Sequence, residues 1–366
     1  MSKARQLADL GNVYDDGALS NRNLIINGAM QVAQRGTSFS SITVDQYVVD
    51  RFVLLLNSIG TYTLSQSSVA PDGFSSSFKI DCTTANASPA AGAYSLLVQN
   101  IEAQNLQQLA YGTSSAKDMT LSFWVRSSKT GSFGVVVRQR DNSNKMVSKQ
   151  VTISAVDTWE YKTMSIPSDT SGVINNDNGT GLDISWWING GSNFSGGSEM
   201  TTWGAEDSTA KYLGNLAIGA LTTDEFYITG VQLEVGDTAT PFEHRSYGDE
   251  LLKCQRYYEK REYSGAYQHV STSTNQDTTT VICDIYFNQQ KRVTPTLSGS
   301  AAGTWRINAF ANDSTAGSVT FNTTELNALR LGAVRASGTH VAREASYINV
   351  ENVSPYIAYW EADAEL

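Results

Sequence analysis

Residues 226–260 read FYITGVQLEVGDTATPFEHRSYGDELLKCQRYYEK, and their pattern changes partway along. Apolar side chains nearly alternate over 226–235, which predicts a half-buried strand in which Gly230 forms a β-bulge. A Gly-Asp pair ends that strand, and Pro241 excludes a central strand directly after it. From Asp249 the apolar spacing becomes helical for about two to three turns. The sequence therefore predicts that one sheet domain ends here and another begins after a short helix.

The residues before this junction follow one another as short strands, with clusters of Gly, Asn, Asp and Ser between them. Regular alternation of strands and turns is typical of an all-β sandwich. We therefore predict a sandwich domain over residues 23–245. Its predicted strands are 47–56, 60–66, 76–82, 93–101, 119–127, 132–140, 146–154, 159–166, 182–190 and 225–235.

The residues after the helix predict a second, smaller β-sandwich domain over 261–366. Its last strand carries large side chains on both faces, with Tyr359 on one and Trp360 on the other. A half-solvated strand would have one polar face. We therefore predict that this strand is covered from both sides, by the domain core and by another subunit, with Tyr359 and Trp360 at that interface.

Two shorter segments complete the predicted organisation. The helical junction, 246–260, is predicted to be a packed joint in which Leu251, Leu252 and Tyr258 are buried. Residues 1–22 contain too little apolar surface to fold alone. They are either a frayed terminus or an anchor that orders against a partner chain.

Composition restricts the function classes. The chain has 366 residues, enough for two or three domains, and only 17% of them are charged. The net charge of −10 leaves no basic patch that could bind the phosphates of a nucleic acid. We therefore predict no nucleic-acid partner.

The cysteines and the apolar runs bear on the compartment. Cys82, Cys254 and Cys283 are widely spaced and odd in number, so we predict buried free thiols rather than a disulfide framework. No apolar stretch near the N-terminus predicts a signal peptide. The longest apolar run, Phe52–Leu56, is too short to cross a bilayer, and no membrane insertion is predicted.

The junction stretch also carries a family resemblance. It is similar to the "ITGVQLEVG…ATPFEHR…EL…CQRYYE" junction of many bacteriophage tail-fibre and other virion appendage proteins, especially from marine and cyanobacterial phages. The opening residues, Asn23–Met30 with Gln34–Gly36 and Asp50–Phe52, resemble the start of the same proteins. The resemblance covers most of 23–260.

This resemblance implies a virion adhesin or fibre component and no reaction. It implies synthesis in the cytoplasm of a host bacterium, followed by incorporation into the virion. It also implies attachment to other virion proteins through the N-terminal segment, 1–22. A homo-oligomer is expected, with a trimer favoured.

A second resemblance concerns the sandwich itself. Residues Asp118–Ser127 and Thr158–Lys162 resemble inner strands of jelly-roll carbohydrate-binding modules with a galactose-binding-like fold. This implies that the first domain is a jelly roll.

Signatures of catalysis are mostly absent from the sequence. His244, His269 and His340 stand alone, without a second metal ligand at a usual spacing. The loops 175–179 and 189–193 contain oxygen ligands that calcium could accept, although Asx turns explain them better. We predict no catalytic residues, no metal site and no cofactor. A carboxylate pair for glycoside hydrolysis stays open, because only three-dimensional separation defines it.

Two tryptophans lie on the polar side of an otherwise apolar alternation. In strand 182–190, Trp186 falls on the apolar face, while Trp187 shares the polar face with Asp183 and Asn189. Polar groups beside an exposed aromatic ring are what sugar stacking requires. The alternative is that such a ring lies beneath a loop or in a subunit interface.

Strand 119–127 shows the same alternation, with Trp124 and Arg126 on its polar face. If both strands belong to one sheet, Trp124 and Trp187 share a glycan-binding face. The fallback site is the second domain around Tyr263, Tyr267 and Trp305.

Three functions remain open on the sequence alone. The leading one is a phage adhesin that attaches to a host-surface glycan without catalysis. The second is a purely structural appendage or capsid-decoration protein. The third is a tailspike enzyme that degrades host polysaccharide.

Overall fold

The computed structural model describes residues 21–309, 312–323, 325–352 and 357–366. The chain divides into two compact units, the first ending at Glu250 and also including Leu366, the second spanning Leu251–Glu365. The division lies within the α-helix α1, Tyr247–Gln255. Residues 1–20 of the predicted attachment segment lie outside the described residues.

The first unit is built from two antiparallel sheets. Its strands are β1 (Ser38–Ile42), β2 (Gln46–Tyr47), β3 (Val53–Asn57), β4 (Thr61–Ser67), β5 (Ser77–Thr84), β6 (Tyr94–Glu102), β7 (Met119–Ser127), β8 (Gly131–Gln139), β9 (Lys145–Ile153), β10 (Glu160–Ile166), β11 (Thr180–Gly190), β12 (Met200–Gly204) and β13 (Glu225–Val235). One sheet has the order β1-β4-β5-β13-β7-β10 and the other β12-β9-β8-β11-β6-β3-β2. The predicted all-β jelly-roll sandwich is confirmed.

The inner faces of the two sheets form one core. Alternate residues of β7, among them Leu121 and Phe123, are fully buried, as the period of two requires. Trp186 of β11 is also fully buried and meets Phe123 edge to face, with ring centroids 5.9 Å apart. The prediction that Trp186 is a core residue is confirmed.

The predicted bulge in β13 is present. The pairing of β13 with β7 shifts between Thr229 and Gln232, and Gly230 has φ of +61°. A side chain at Gly230 would meet the rings of Phe74 and Trp124 at 2.7 and 2.9 Å. Glycine is therefore required both by the backbone conformation and by the two rings that lie over it.

Strand β13 also holds the N-terminal part of the described chain. The side-chain oxygen of Asn23 accepts from the Leu233 amide at 3.1 Å, and its amide group donates to the Val231 carbonyl at 3.1 Å. Arg245 pairs with Glu250 at 2.8 Å, and Glu250 accepts a hydrogen bond from the Asn27 amide. The two stretches that carry the family resemblance are thus in contact.

The second unit combines a small sheet with a barrel. Its strands are β14 (Tyr258–Ser264), β15 (His269–Asn275), β16 (Thr280–Tyr286), β17 (Thr296–Gly299), β18 (Trp305–Ala309), β19 (Asn312–Asn322), β20 (Ala328–Arg335), β21 (Ala345–Val350) and β22 (Ile357–Asp363). The small sheet has the order β14-β22-β17, and β15-β16-β20-β19-β18-β21 close into a barrel. A barrel therefore stands where we predicted a second sandwich. The barrel closes because β15 pairs with both β16 and β21. The alternation of apolar and polar residues along a single strand does not predict which strands pair.

The predicted burial of the leucines in the junction is wrong, most clearly for Leu252. Leu252 is 45% exposed and Leu251 partly exposed, whereas Glu250 and Cys254 are buried. These two are four residues apart, so the buried face of α1 is rotated away from the leucines. Tyr258 is buried as predicted, but it belongs to β14 rather than to the helix.

The last strand, β22, has an ordinary alternation. Trp360 is fully buried in the core of the second unit, 5.8 Å from the ring of Phe287. Its predicted interface role is wrong, because it faces inward. Tyr359 faces outward and is partly exposed, with the Lys260 ammonium 4.8 Å from its ring. An interface at Tyr359 stays a prediction.

The three cysteines are buried, as predicted for this residue type. Burial raises the pKa of the Cys283 thiol to about 11, which keeps it protonated at neutral pH. None of the helices in the described ranges has the length and apolar composition that a membrane crossing requires.

Candidate functional site

Trp124 and Trp187 do not share a face. Trp124 lies on β7 in the six-stranded sheet, and Trp187 lies on β11 in the seven-stranded sheet. The outer faces of a two-sheet sandwich point in opposite directions. The predicted joint site is therefore wrong, because alternation assigns a side chain to a face of its strand but not to a sheet.

Trp187 is covered rather than exposed. Its side chain is 4% exposed and packs against Phe194 and Tyr94, with ring centroids 5.1 and 6.0 Å away. The Lys211 ammonium lies 5.7 Å from the ring, and the indole N–H donates to Ser185 Oγ at 3.1 Å. This is the alternative in which the ring lies beneath a loop.

Two glycines explain how that loop covers the sheet. A Cβ at Gly134 of β8 would lie 1.9 Å from the Lys211 carbonyl oxygen. A Cβ at Gly214 would lie 2.1 Å from the Ser132 carbonyl oxygen. The backbone of 211–214 therefore rests directly on β8 and shields the outer face of the seven-stranded sheet.

The two polar neighbours of Trp187 are buried with it. Asp183 is 1% exposed, and its carboxylate accepts from Arg138 Nε at 3.0 Å. Burial raises the pKa of Asp183, and the charge of Arg138 opposes that rise. Asn189 is 2% exposed and donates to the Ile218 carbonyl at 3.0 Å. Asp183 thus bonds within the sheet and Asn189 bonds to the segment after the covering loop, and both are buried away from solvent.

The other half of the predicted site lies on the outer side of the six-stranded sheet. Trp124 and Arg126 project from the outer side of β7 and are partly exposed. On the neighbouring strand, Tyr161 is the cross-strand partner of Trp124 and is 43% exposed. The two ring centroids are 5.3 Å apart with planes 48° apart. Together they form a platform of two rings on the six-stranded sheet.

More aromatic side chains extend this platform. Phe74 and Trp124 both lie over Gly230, and Phe242 and His244 lie 5.0 and 5.3 Å from the Phe74 ring. We call the set of Phe74, Trp124, Tyr161, Phe242 and His244 the aromatic band. Sequence reasoning missed most of it, although Phe242 and His244 stand in the ATPFEHR segment after β13.

Charged groups border the band. Arg126 pairs with Asp157 at 2.9 Å, and its guanidinium lies 4.9 Å from the ring of Tyr227. Glu225 accepts from Lys79 and from the Tyr227 hydroxyl, both at 2.7 Å. Burial alone would raise the pKa of Glu225, but these two hydrogen bonds lower it below its usual value. The side chains of this border are therefore paired with one another.

Of the three residues of the fallback site in the second unit, one is exposed enough to contact a sugar. Trp305 is fully buried and Tyr263 is 7% exposed, so both belong to the core. Tyr267 is 50% exposed.

Within the described ranges, no group of three or more His, Cys, Asp or Glu side chains is placed to hold a metal ion.

Comparisons with known proteins find structural similarity only. No protein-family model matches the chain, and no curated protein sequence matches it. The enzymatically active domain of bacteriophage CBA120 tailspike protein 4 is similar at 14% identity and a TM-score of 0.33, over 59% of this chain and 22% of that one. TmCBM61, determined with β-1,4-galactotriose, is similar at 10% identity and a TM-score of 0.31, over 59% of this chain and 100% of the module.

A third solved structure is the family 11 carbohydrate-binding module of a Clostridium thermocellum cellulosomal cellulase. It is 10% identical, with a TM-score of 0.29, over 55% of this chain and 98% of the module. Similar structures thus include carbohydrate-binding modules and one enzymatically active phage tailspike domain. The class that the strand order defines is an all-β jelly-roll sandwich followed by a barrel.

Proposed function

We propose that this chain is a phage virion protein, a tail fibre or similar appendage, that attaches to the host surface by non-catalytic glycan binding. The observation that carries the glycan-binding part is the platform of Trp124 and Tyr161, two partly exposed rings on adjacent strands of one sheet. The virion part is supported by the resemblance of residues 23–260 to phage appendage proteins.

The platform suits a sugar for physical reasons. A pyranose has an apolar C–H face that stacks on an aromatic ring, and hydroxyls around its edge that need hydrogen-bond partners. Trp124 and Tyr161 supply the rings, and Arg126 supplies donors at the border. Each such ring contributes about 1–3 kcal/mol to the free energy of binding. A site built on two of them therefore binds a sugar weakly.

The state of the nearby carboxylates supports binding rather than hydrolysis. A glycosidase needs one carboxyl that stays protonated near neutral pH and acts as the general acid. Glu225 instead has its pKa lowered by its hydrogen bonds to Lys79 and Tyr227, against the effect of burial. Asp157 is paired with Arg126. Glu225 therefore lacks the property that the general acid needs.

Assembly would make weak sites effective. We propose a homo-oligomer, with a trimer favoured, that is joined to other virion proteins through residues 1–22. Several sites presented together raise the apparent affinity far above that of one site. Light scattering on the purified chain should therefore give a mass of several chains. A stable monomer of 39.7 kDa at micromolar concentration would contradict the assembly proposed here.

A second candidate function is a purely structural appendage. The observation that favours it is the length of the aromatic band, because Phe74, Phe242 and His244 continue it beyond the sugar-sized platform. Large aromatic side chains are also common in subunit interfaces. In that case the band is covered in the assembled particle, and its loss lowers assembly rather than attachment.

Replacing Trp124 or Tyr161 with alanine is the experiment that separates the two. Either change should weaken adsorption of the purified chain to host cells by about 5- to 150-fold per site, the equivalent of about 1–3 kcal/mol. Oligomer mass should stay the same, because Tyr161 is 43% exposed and Trp124 is partly exposed on the outer side of its sheet. Tyr247→Ala is the matched control, since Tyr247 is 56% exposed in α1 and outside the band.

The contrary result is equally clear. If both variants adsorb like the parent while the oligomer dissociates, the band is an interface and the structural function replaces the adhesive one. Release of soluble sugars from host polysaccharide by the parent chain would instead support the tailspike enzyme.

A further inference from the structure

The barrel of the second unit carries an open cleft of about 500 Å³ on its outer wall. The cleft lies where β16 pairs with β20 and β20 pairs with the end of β19. Its volume falls within the range of about 300–1,000 Å³ that is usual for small-molecule sites. Its lining includes the side chains of Asp284, Tyr286, Asn322, Thr323, Glu325 and Arg330.

Tyr286 offers an uncovered ring in this cleft. It is 73% exposed, the highest value among the large apolar and aromatic residues of the described ranges. Its cross-strand partner is Ala328, whose methyl group is too small to cover the ring. Ile285 and Leu329 point into the barrel core instead. The ring is thus held on a strand with a face open to solvent.

A bidentate ion pair lines the same cleft as that ring. Arg330 donates from Nε and Nη2 to the two carboxylate oxygens of Asp284, at 2.8 and 3.2 Å. Both side chains are about half exposed, so the pair contributes little to stability. It does orient a planar guanidinium, which has five N–H donors in all. The hydrogen bond and charge of Arg330 lower the pKa of Asp284, which therefore remains an ionised acceptor.

The opposite side of the cleft is polar too. Asn322 is the cross-strand partner of Arg330 on β19 and is exposed. Thr323 Oγ1 donates to the Ala328 carbonyl at 2.6 Å, and the Glu325 amide donates to Thr323 Oγ1 at 3.0 Å. These bonds fix the turn that brings Glu325 to the cleft.

We propose that this cleft is a second glycan site, which binds a neutral pyranose with Tyr286 as the stacking ring and Asp284, Arg330 and Asn322 as hydroxyl partners. Two carboxylates against one guanidinium give the lining a net negative charge, which disfavours sugars that carry a carboxylate. The inference rests on the proposed function for the class of ligand only. Each chain would then hold one sugar platform on each unit.

Two other exposed tyrosines of this unit are less suited to stacking. Tyr347 is 45% exposed, but the ring of His269 lies 5.9 Å away. Tyr267 is 50% exposed, but the guanidinium of Arg306 lies 5.3 Å from its ring. Strand β21, which carries Tyr347, pairs with β15 and β18 and with none of the strands that line the cleft. Tyr347 is therefore a matched control for the loss of an exposed ring.

The test is binding of the full chain to an array of neutral oligosaccharides and of oligosaccharides that contain uronate or sialate. Variants Tyr286→Ala, Tyr286→Phe, Tyr347→Ala and Trp124→Ala are compared with the parent. We expect Tyr286→Ala to weaken binding to those neutral glycans that Trp124→Ala still binds by about 5- to 150-fold, the equivalent of losing one stacked ring. Tyr286→Phe and Tyr347→Ala should bind like the parent. The melting temperature of Tyr286→Ala should not change, because the ring is exposed.

The outcomes separate this inference from the proposed function. If Trp124→Ala loses binding and Tyr286→Ala does not, the cleft is not a glycan site and the sheet face is. If only Tyr286→Ala loses binding, the cleft is the site and the sheet-face assignment fails. Equal losses for Tyr286→Ala and Tyr347→Ala, or a preference for acidic glycans, would overturn the inference. Absence of any glycan binding by the parent would overturn both proposals.

Discussion

Replacing Lys291 with alanine is expected to lower the free energy of unfolding of the second unit by about 3–5 kcal/mol. Lys291 is fully buried, and its ammonium lies 2.6 Å from Glu259 Oε2 and 2.5 Å from the Gln255 carbonyl oxygen. Glu259 is 1% exposed. Removing the lysine leaves that carboxylate in the protein interior without its cation, and this uncompensated charge is the main source of the loss.

Urea unfolding monitored by circular dichroism would measure the effect. The double variant Lys291→Met with Glu259→Gln should recover most of the loss, because it removes both charges and keeps the volume. An exposed pair supplies the contrast, since Arg330→Ala breaks the bond to Asp284 and should leave the free energy of unfolding almost unchanged. Similar small losses for Lys291→Ala and Arg330→Ala would show that the Lys291 pair is not buried in solution.

Replacing Trp187 with alanine should destabilise the first unit by about 3–5 kcal/mol, the usual cost of removing a large buried aromatic side chain. The ring is 4% exposed and touches Phe194, Tyr94 and Lys211. Its loss leaves a cavity between the seven-stranded sheet and the loop that covers it. Glycan binding should persist in those molecules that remain folded.

Thermal unfolding of Trp187→Ala beside Tyr161→Ala tests this prediction. Tyr161 is 43% exposed, so its removal should lower the melting temperature far less. If Trp187→Ala melted like the parent and lost adsorption to host cells, Trp187 would be an exposed binding residue after all. The covering loop would then have to be open in solution.

The faces of individual strands could be predicted from the sequence. Alternation in β7 and β11 correctly separated Phe123 and Trp186, which are buried, from Trp124, which is partly exposed. The bulge at Gly230 could be predicted from one break in the alternation, because a glycine inside a strand usually marks a bulge. These features are local, and local sequence determines them.

The arrangement of strands could not be predicted in the same way. Whether β7 and β11 share a sheet depends on pairings between residues far apart in the chain, and no periodicity records them. The covering of Trp187 depends on the loop at 211–214, for which the sequence signal is a set of glycines that includes Gly134 and Gly214. A glycine opposite a tryptophan on an outer strand face indicates that another segment lies on that face.

The buried face of helix α1 was also predicted incorrectly. Leu251 and Leu252 suggested the buried stripe, but the buried positions of α1 include Glu250, which is held by Arg245. A charged side chain with a partner can be buried while a leucine beside it is exposed. Residue type alone gave the wrong face because the partner of Glu250 lies outside the helix.

The most direct test of glycan binding at the sheet face is a titration of the tryptophan indole resonances with a neutral oligosaccharide chosen from the array. The chain has seven tryptophans, and substitution to phenylalanine assigns each indole signal. In a Tyr286→Ala background, which removes the second site, the signal of Trp124 should shift with saturation, while those of Trp186 and Trp187 stay in place. A saturating shift of Trp187 with Trp124 unchanged would contradict the account.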